Sequence, residues 1–304
     1  MNPPRATLRR TIALPPDYRL CDVLAFHRRD TESVAEQVRQ DGLRKGVMLD
    51  GVPVLLAVDF TPAAALCTAE LDGKPAPALE RRADAAFHSI LGLRIDPAPF
   101  CAFAAADPLF GPLVQRQPGL RIVQSATVFE ALTWAIIGQQ INLSFAIALR
   151  RTFIQQAGRP HSCGLWCYPE ASDAARLELD ELTTRKFSRA KAETLLRFAH
   201  LVSSGELDLE PGPGNTIEQI GKKLLAVKGI GPWTVNYGLL RGYGYPDCSL
   251  HGDVAVRTAL QRLAGDEARP DMVRAEQILQ QYQPHRTMAA AHLWASLAPP
   301  DDTA

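Results

Sequence analysis

The sequence predicts a mostly α-helical protein preceded by a small mixed α/β segment. Residues 12–72 hold short β-branched runs. Residues 128–153 and 188–202 place apolar side chains at helical spacing. A Gly-Ile-Gly-Pro stop at 229–232 then divides two further helical patterns. A chain of 304 residues exceeds one ordinary core, so two or three domains are expected.

From the N-terminus, Asp22–Phe26, Val34–Val38 and Gly51–Val58 read as short strands. Thr61–Leu66 carries helix or turn signals, and 71–77 is a loop. A helix is expected over 79–91, stopped at Gly92. Pro108 and Pro112 limit a short helix near 100–114. Residues 128–153 read as one long helix whose apolar positions include Phe129, Leu132, Ile136, Ile137, Ile147 and Leu149. Residues 188–202 form an amphipathic helix, and Pro211–Gly214 breaks the chain. A last helix is expected over 287–297, with a frayed end at 299–304.

Hydrophobic residues make up 46% and charged residues 22%, an ordinary globular balance. No apolar run approaches the roughly 20 residues that span a bilayer. Arg5, Arg9 and Arg10 lead into no long apolar stretch. We therefore expect no signal peptide and no membrane partner. The expected place is the cytoplasm of a bacterium, or the nucleus of a eukaryote. Lys+Arg and Asp+Glu are both 33, so the net charge is zero. Any nucleic-acid function must then rest on a local device. Of the six cysteines, Cys163 and Cys167 near His161 come closest to a metal pattern, but a fourth ligand and the spacing are lacking. Free thiols are expected.

The richest segment is 215–264. Thr216-Ile-Glu-Gln219 is a capping box that opens a helix through Ile220, Leu224 and Leu225. Gly229 and Gly231 flank Ile230, and Pro232 suits the first turn of a second helix. Both glycines can take positive φ, and Ile230 can plug the hairpin into the core. The second helix then points unpaired N–H groups outward, where a phosphate can bind without any net positive charge. An ordinary αα-corner fits the same spacing. Asp253 stands at the N-cap of a helix over 254–263. Capping alone, worth about 1 kcal/mol, explains it. A carboxylate held ionised at a helix start is the functional alternative, and the two roles are compatible. Trp233 and Tyr237 lie four apart and share a helix face. Trp134 is expected in the core, and His251 is a further candidate beside Asp253.

The run Leu225-Ala-Val-Lys-Gly-Ile-Gly-Pro-Trp-Thr-Val-Asn-Tyr237, followed by Asp253, resembles the helix-hairpin-helix, Gly/Pro-rich, Asp DNA glycosylases. It is most similar to the AlkA-like 3-methyladenine enzymes among them. Residues 129–141, 189–195 and 284–294 agree with the family's other helices, and 12–94 resemble its small leading domain. The resemblance implies a core of two helical lobes behind an α+β, TBP-like domain with an antiparallel sheet. The expected boundaries are 1–94 for that domain, 95–121 with 245–304 for one lobe, and 122–244 for the other, with the hairpin at about 216–241.

The resemblance further implies a monofunctional glycosylase that flips N-alkylated purines out of double-stranded DNA and leaves an abasic site. Asp253 would be the catalytic carboxylate. Trp233, Tyr237 and His285 would line the base pocket, His285 standing where the family has a tryptophan. Gly229, Gly231 and Thr234 would meet DNA, with Gln140 or Ile141 as the inserted wedge. No cofactor is required, but the backbone carbonyls of Leu225, Val227 and Ile230 would hold a Na or K ion. Trp233 fills the slot that a Schiff-base lysine holds in bifunctional relatives, and Lys228 lies outside it, so strand cleavage is not expected. A monomer is expected. Excision of deaminated bases such as hypoxanthine, and a non-catalytic DNA-binding protein, are the alternative readings.

Overall fold

The computed structural model describes residues 6–298. The frayed end expected at 299–304, and Arg5, lie outside them. The chain opens on β1 (Ala6–Ala13), α1 (Leu20–His27), β2 (Glu36–Val38), β3 (Gly42–Leu49), β4 (Val52–Phe60), β5 (Ala64–Leu71) and α2 (Pro77–Ile90). The strands form one antiparallel sheet in the order β1-β5-β4-β3-β2. Val54, Leu56 and Val58 alternate with their neighbours towards α2, where Leu79, Ala83, Phe87 and Ile90 complete a first apolar core.

The rest is helical. In order come α3 (Ala98–Ala104), α4 (Gly111–Gln115), α5 (Val128–Gly138) and α6 (Leu143–Ala157). A two-stranded ribbon, β6 (Arg159–Pro160) and β7 (Trp166–Cys167), precedes α7 (Ala171–Ala174) and α8 (Leu179–Thr183). Then follow α9 (Arg189–Ser203), α10 (Ile217–Leu225), α11 (Pro232–Gly238), α12 (Val254–Ala264), α13 (Met272–Gln280) and α14 (Arg286–Ala295). A second, larger apolar core joins these helices. No helix among the described residues is long and apolar enough to cross a membrane.

Several expectations need correction. Asp22–Phe26 is helical, not a strand. A short apolar run has no decisive period of its own. The helix buries Val23, Leu24 and His27 on one side, and Arg19 pairs with Asp22 at 2.6 Å in its first turn. Thr61 begins a turn closed by Thr61 N–H to the Ala64 carbonyl, but Ala64–Leu71 is a strand. The short helix near 100–114 is two helices, α3 and α4. The long helix over 128–153 is two helices as well. It breaks at Gln139–Asn142, where Gln140 has φ 56° and Asn142 caps α6 by accepting from Phe145 N–H. β1, β3, the ribbon, α7, α8 and α13 have no counterpart among the expected elements.

The two cores meet through a buried quartet of charges. Lys45 Nζ of β3 donates to Glu36 of β2 at 2.5 Å and to Glu130 of α5 at 2.6 Å. Arg150 of α6 reaches the same two carboxylates, at 2.6 and 2.9 Å. Burial alone would push both glutamates up; the two cations outweigh it and hold both below the usual carboxylate range. All four side chains are buried, and their charges cancel.

Candidate active site

The hairpin is built as its residues dictate. Thr216 accepts from Gln219 N–H while the Gln219 side chain returns a bond to Thr216 N–H, closing the capping box. Gly229 takes φ 96°, and a Cβ there would stand 2.1 Å from Thr194 Oγ1. Gly231 differs from expectation. It is extended, with φ −106°, serves as the N-cap of α11, and has open space where a Cβ would go. Only Gly229 therefore answers a positive φ, whereas Gly231 keeps the helix start accessible. Ile230 is buried in the helical core between the two.

The turn between α5 and α6 locks onto this hairpin. Gln139 Nε2 donates to the Gly229 carbonyl at 3.0 Å and to Thr234 Oγ1 at 2.8 Å. Lys191 Nζ donates to the carbonyls of Ile136, Ile137 and Gln139 at 3.1, 2.7 and 3.0 Å, and so caps α5. Burial pulls this ammonium down to about 8. These bonds over-determine the left-handed backbone of Gln140. Gln140 is exposed at the tip, whereas Ile141 packs against the core. Thr234 is buried, and its Oγ1 accepts from Gln139.

Asp253 starts α12. Its Oδ1 accepts from Val256 N–H at 3.0 Å, the N-cap bond. The same oxygen accepts from Trp294 Nε1 at 3.2 Å, and Oδ2 accepts from Trp233 Nε1 at 2.8 Å. A carboxylate has about four acceptor positions, so one on Oδ2 remains. Three donors from three helices thus fix one half-buried charge. Trp233 and Tyr237 pack in a tilted arrangement at 5.2 Å, and Tyr237 meets Trp294 at 6.2 Å. The three rings line one wall beside the carboxylate. Trp134, expected in the core, donates through Nε1 to Tyr237 Oη at 3.0 Å. His251 instead bonds Ser249 Oγ at 2.9 Å through Nδ1.

His285 is not brought to this wall. It packs against Phe103 at 5.8 Å and Phe100 at 6.4 Å, at the start of α14. Trp294, nine residues further along that helix, stands at Asp253 in its place. Sequence reasoning also missed Gln139 and Lys191, whose partners lie up to 95 residues away, and no local signal marks them.

Residues 133–285 match the HhH-GPD superfamily base excision DNA repair proteins. A DNA-3-methyladenine glycosylase of Bacillus subtilis (strain 168) is 32% identical over 213 residues, spanning 69% of this chain and 70% of that protein. The 3-methyladenine DNA-glycosylase of Archaeoglobus fulgidus aligns over 94% of this chain and 97% of its own at TM-score 0.79 and 21% identity. An 8-oxoguanine glycosylase/lyase of Clostridium acetobutylicum aligns over 97% and 98% at TM-score 0.71 and 13% identity. At those identities the two structures speak for the fold alone, and enzymes described by different lesions share it. The hairpin, the aspartate that follows it and these matches agree: this chain belongs to the HhH-GPD superfamily of base excision DNA repair proteins.

Proposed function

We propose that this chain is a monofunctional DNA glycosylase that releases N-alkylated purines from double-stranded DNA and leaves an abasic site. The observation that carries the reading is Asp253, held by two indole N–H groups and a helix start beside an aromatic wall. A base within a duplex must be rotated out before it is reached. The α11 start takes a backbone phosphate on its N–H groups. Gln140, exposed on its rigid turn, enters the gap, which favours it over Ile141. The flipped base lies against Trp233, Tyr237 and Trp294. As the C1′–N bond breaks, its electron pair passes to the base and positive charge builds on the sugar. Asp253 faces that charge, and its remaining lone pair orients the water that adds to C1′. Trp233 occupies the position an amine nucleophile would need.

The hairpin also fits an alkali ion. Val227 spends its carbonyl on Ile230 N–H at 3.0 Å, while the carbonyls of Leu225 and Ile230 take no such turn bond among the described residues. Neutral oxygens of this kind suit a hard, weakly charged cation. The chain's own carbonyls would hold it and turn the hairpin's N–H groups towards the phosphate.

The direct test is a duplex carrying one 7-methylguanine. Purified protein is expected to release the free base and leave the strand intact until alkali is added. A nick with a borohydride-trappable adduct would refute the monofunctional reading. The two hairpin glycines separate fold from binding. Gly229→Ala is expected to cost roughly 2 kcal/mol of stability through its backbone and Thr194. Gly231→Ala costs under about 1 kcal/mol, yet weakens binding to abasic duplex because its methyl stands where the phosphate approaches. Urea unfolding and filter binding on both variants check this contrast, and equal losses in both assays would contradict it.

A further inference from the structure

The last carbonyls of a helix have no partner within the helix. At the end of α5 they turn to α9 for one. Lys191 Nζ takes the carbonyls of Ile136 and Ile137 and, past the helix, that of Gln139. An ammonium has three N–H groups, and all three are used. The next residue, Gln140, is exposed and left-handed at φ 56° without being a glycine. Such a backbone persists only where its surroundings over-determine it. Lys191 is the charged member of the set that does so; the other, Gln139, is a neutral amide.

Lys191 is half-buried and has no carboxylate within ion-pair distance among the described residues. Arg189 and Glu193 of α9 pair with each other at 2.8 Å. Arg197 of α9 donates to the carbonyl of Lys228 in the hairpin at 3.1 Å, and Arg185 and Lys186 lie just before α9. Glu130, at the far end of α5, belongs to the buried quartet, and Tyr237 of α11 bonds Trp134. None of these compensates Lys191, and burial pulls its ammonium from the ordinary 10.5 down to about 8. Loss of that proton leaves two N–H groups for three carbonyls and removes the charge from every remaining bond.

We propose that Lys191 is a positioning residue for base flipping: its charged ammonium holds the turn between α5 and α6 in the conformation that inserts Gln140, and insertion lapses when that charge is lost. The inference rests on the reading of Gln140 as the inserted side chain. The loss has a sign that separates it from unfolding. A lysine whose folded value is lowered binds its proton more tightly in the unfolded chain. Native stability therefore rises with pH between about 8 and 10.5, the window in which insertion fails.

The test uses the full chain and a duplex with a tetrahydrofuran abasic analogue flanked by 2-aminopurine, whose fluorescence rises when a side chain enters the stack. No bond is cleaved, so chemistry does not contribute. Fluorescence per bound duplex, with binding taken from anisotropy, is followed across the window around pH 8. The native signal is expected to fall by about three-fold or more as pH rises. Its midpoint should lie at about 8 or above, because the phosphates of bound DNA favour the charged form. Lys191→Arg, which stays charged, is expected to keep its signal across the window, and Lys191→Met to give the reduced signal at every pH. A native signal from Lys191→Met overturns the proposal, as does a parallel fall in the native and Lys191→Arg proteins. Gln140→Ala sets the floor. If it keeps the native signal, the reading of Gln140 falls and the proposal with it. If it loses the signal while Lys191→Met keeps it, only the proposal falls.

Discussion

Asp253→Asn is expected to slow base release by about three orders of magnitude, the scale of removing a fixed charge that faces a developing one. The fold should survive. Asparagine is as good an N-cap as aspartate, so the bond to Val256 N–H persists. One of the two indole N–H groups would then face an amide nitrogen and lose its acceptor, at a local cost of about 1–3 kcal/mol. The variant should therefore unfold somewhat earlier, bind abasic duplex nearly as well, and fail in release. Single-turnover excision set beside a binding isotherm separates these effects. Native rates in the asparagine protein would show that Asp253 only caps α12.

Lys45→Met should be strongly destabilising. It removes one cation from a buried quartet and leaves Glu36 and Glu130 with Arg150 alone. An uncompensated buried charge costs about 3–5 kcal/mol. Adding Glu36→Gln to Lys45→Met restores neutrality and should recover a large part of that loss, a coupling of about 1–3 kcal/mol in a double-mutant cycle. Urea midpoints of the four proteins measure it. A loss below about 1 kcal/mol for Lys45→Met would mean that water reaches the quartet. The acid limb has a definite sign. Glu36 and Glu130 bind protons less tightly folded than unfolded, so their stabilisation is present above the ordinary carboxylate range. It is withdrawn progressively as pH falls from that range towards the lowered folded values, and native stability should drop more steeply there than in the doubly substituted protein.

Much of the architecture was legible residue by residue. Thr216 and Gln219 announced α10, Pro232 announced α11, and Asp253 announced α12, because a cap or a fixed φ acts within one turn of chain. The misread elements are those where local pattern is ambivalent. Asp22–Phe26 has neither the length nor the alternation to choose between strand and helix, and packing against the sheet chose helix. The break between α5 and α6 carries no glycine at its left-handed residue. Gln140 holds that backbone because Gln139 and Lys191 tie the turn to the hairpin and to α9.

The site divides the same way. The sequence by itself determined the hairpin, the N-cap aspartate and the shared face of Trp233 and Tyr237, since each depends on neighbours within about one helical turn. Only the tertiary structure decided that Trp294, and not His285, completes the wall at Asp253. It alone set Arg29 and Arg241 against those rings without a carboxylate. The physical reason is range: caps and helical periodicity are written in adjacent residues, whereas this site draws side chains from residues 29 to 294 that only folding brings together.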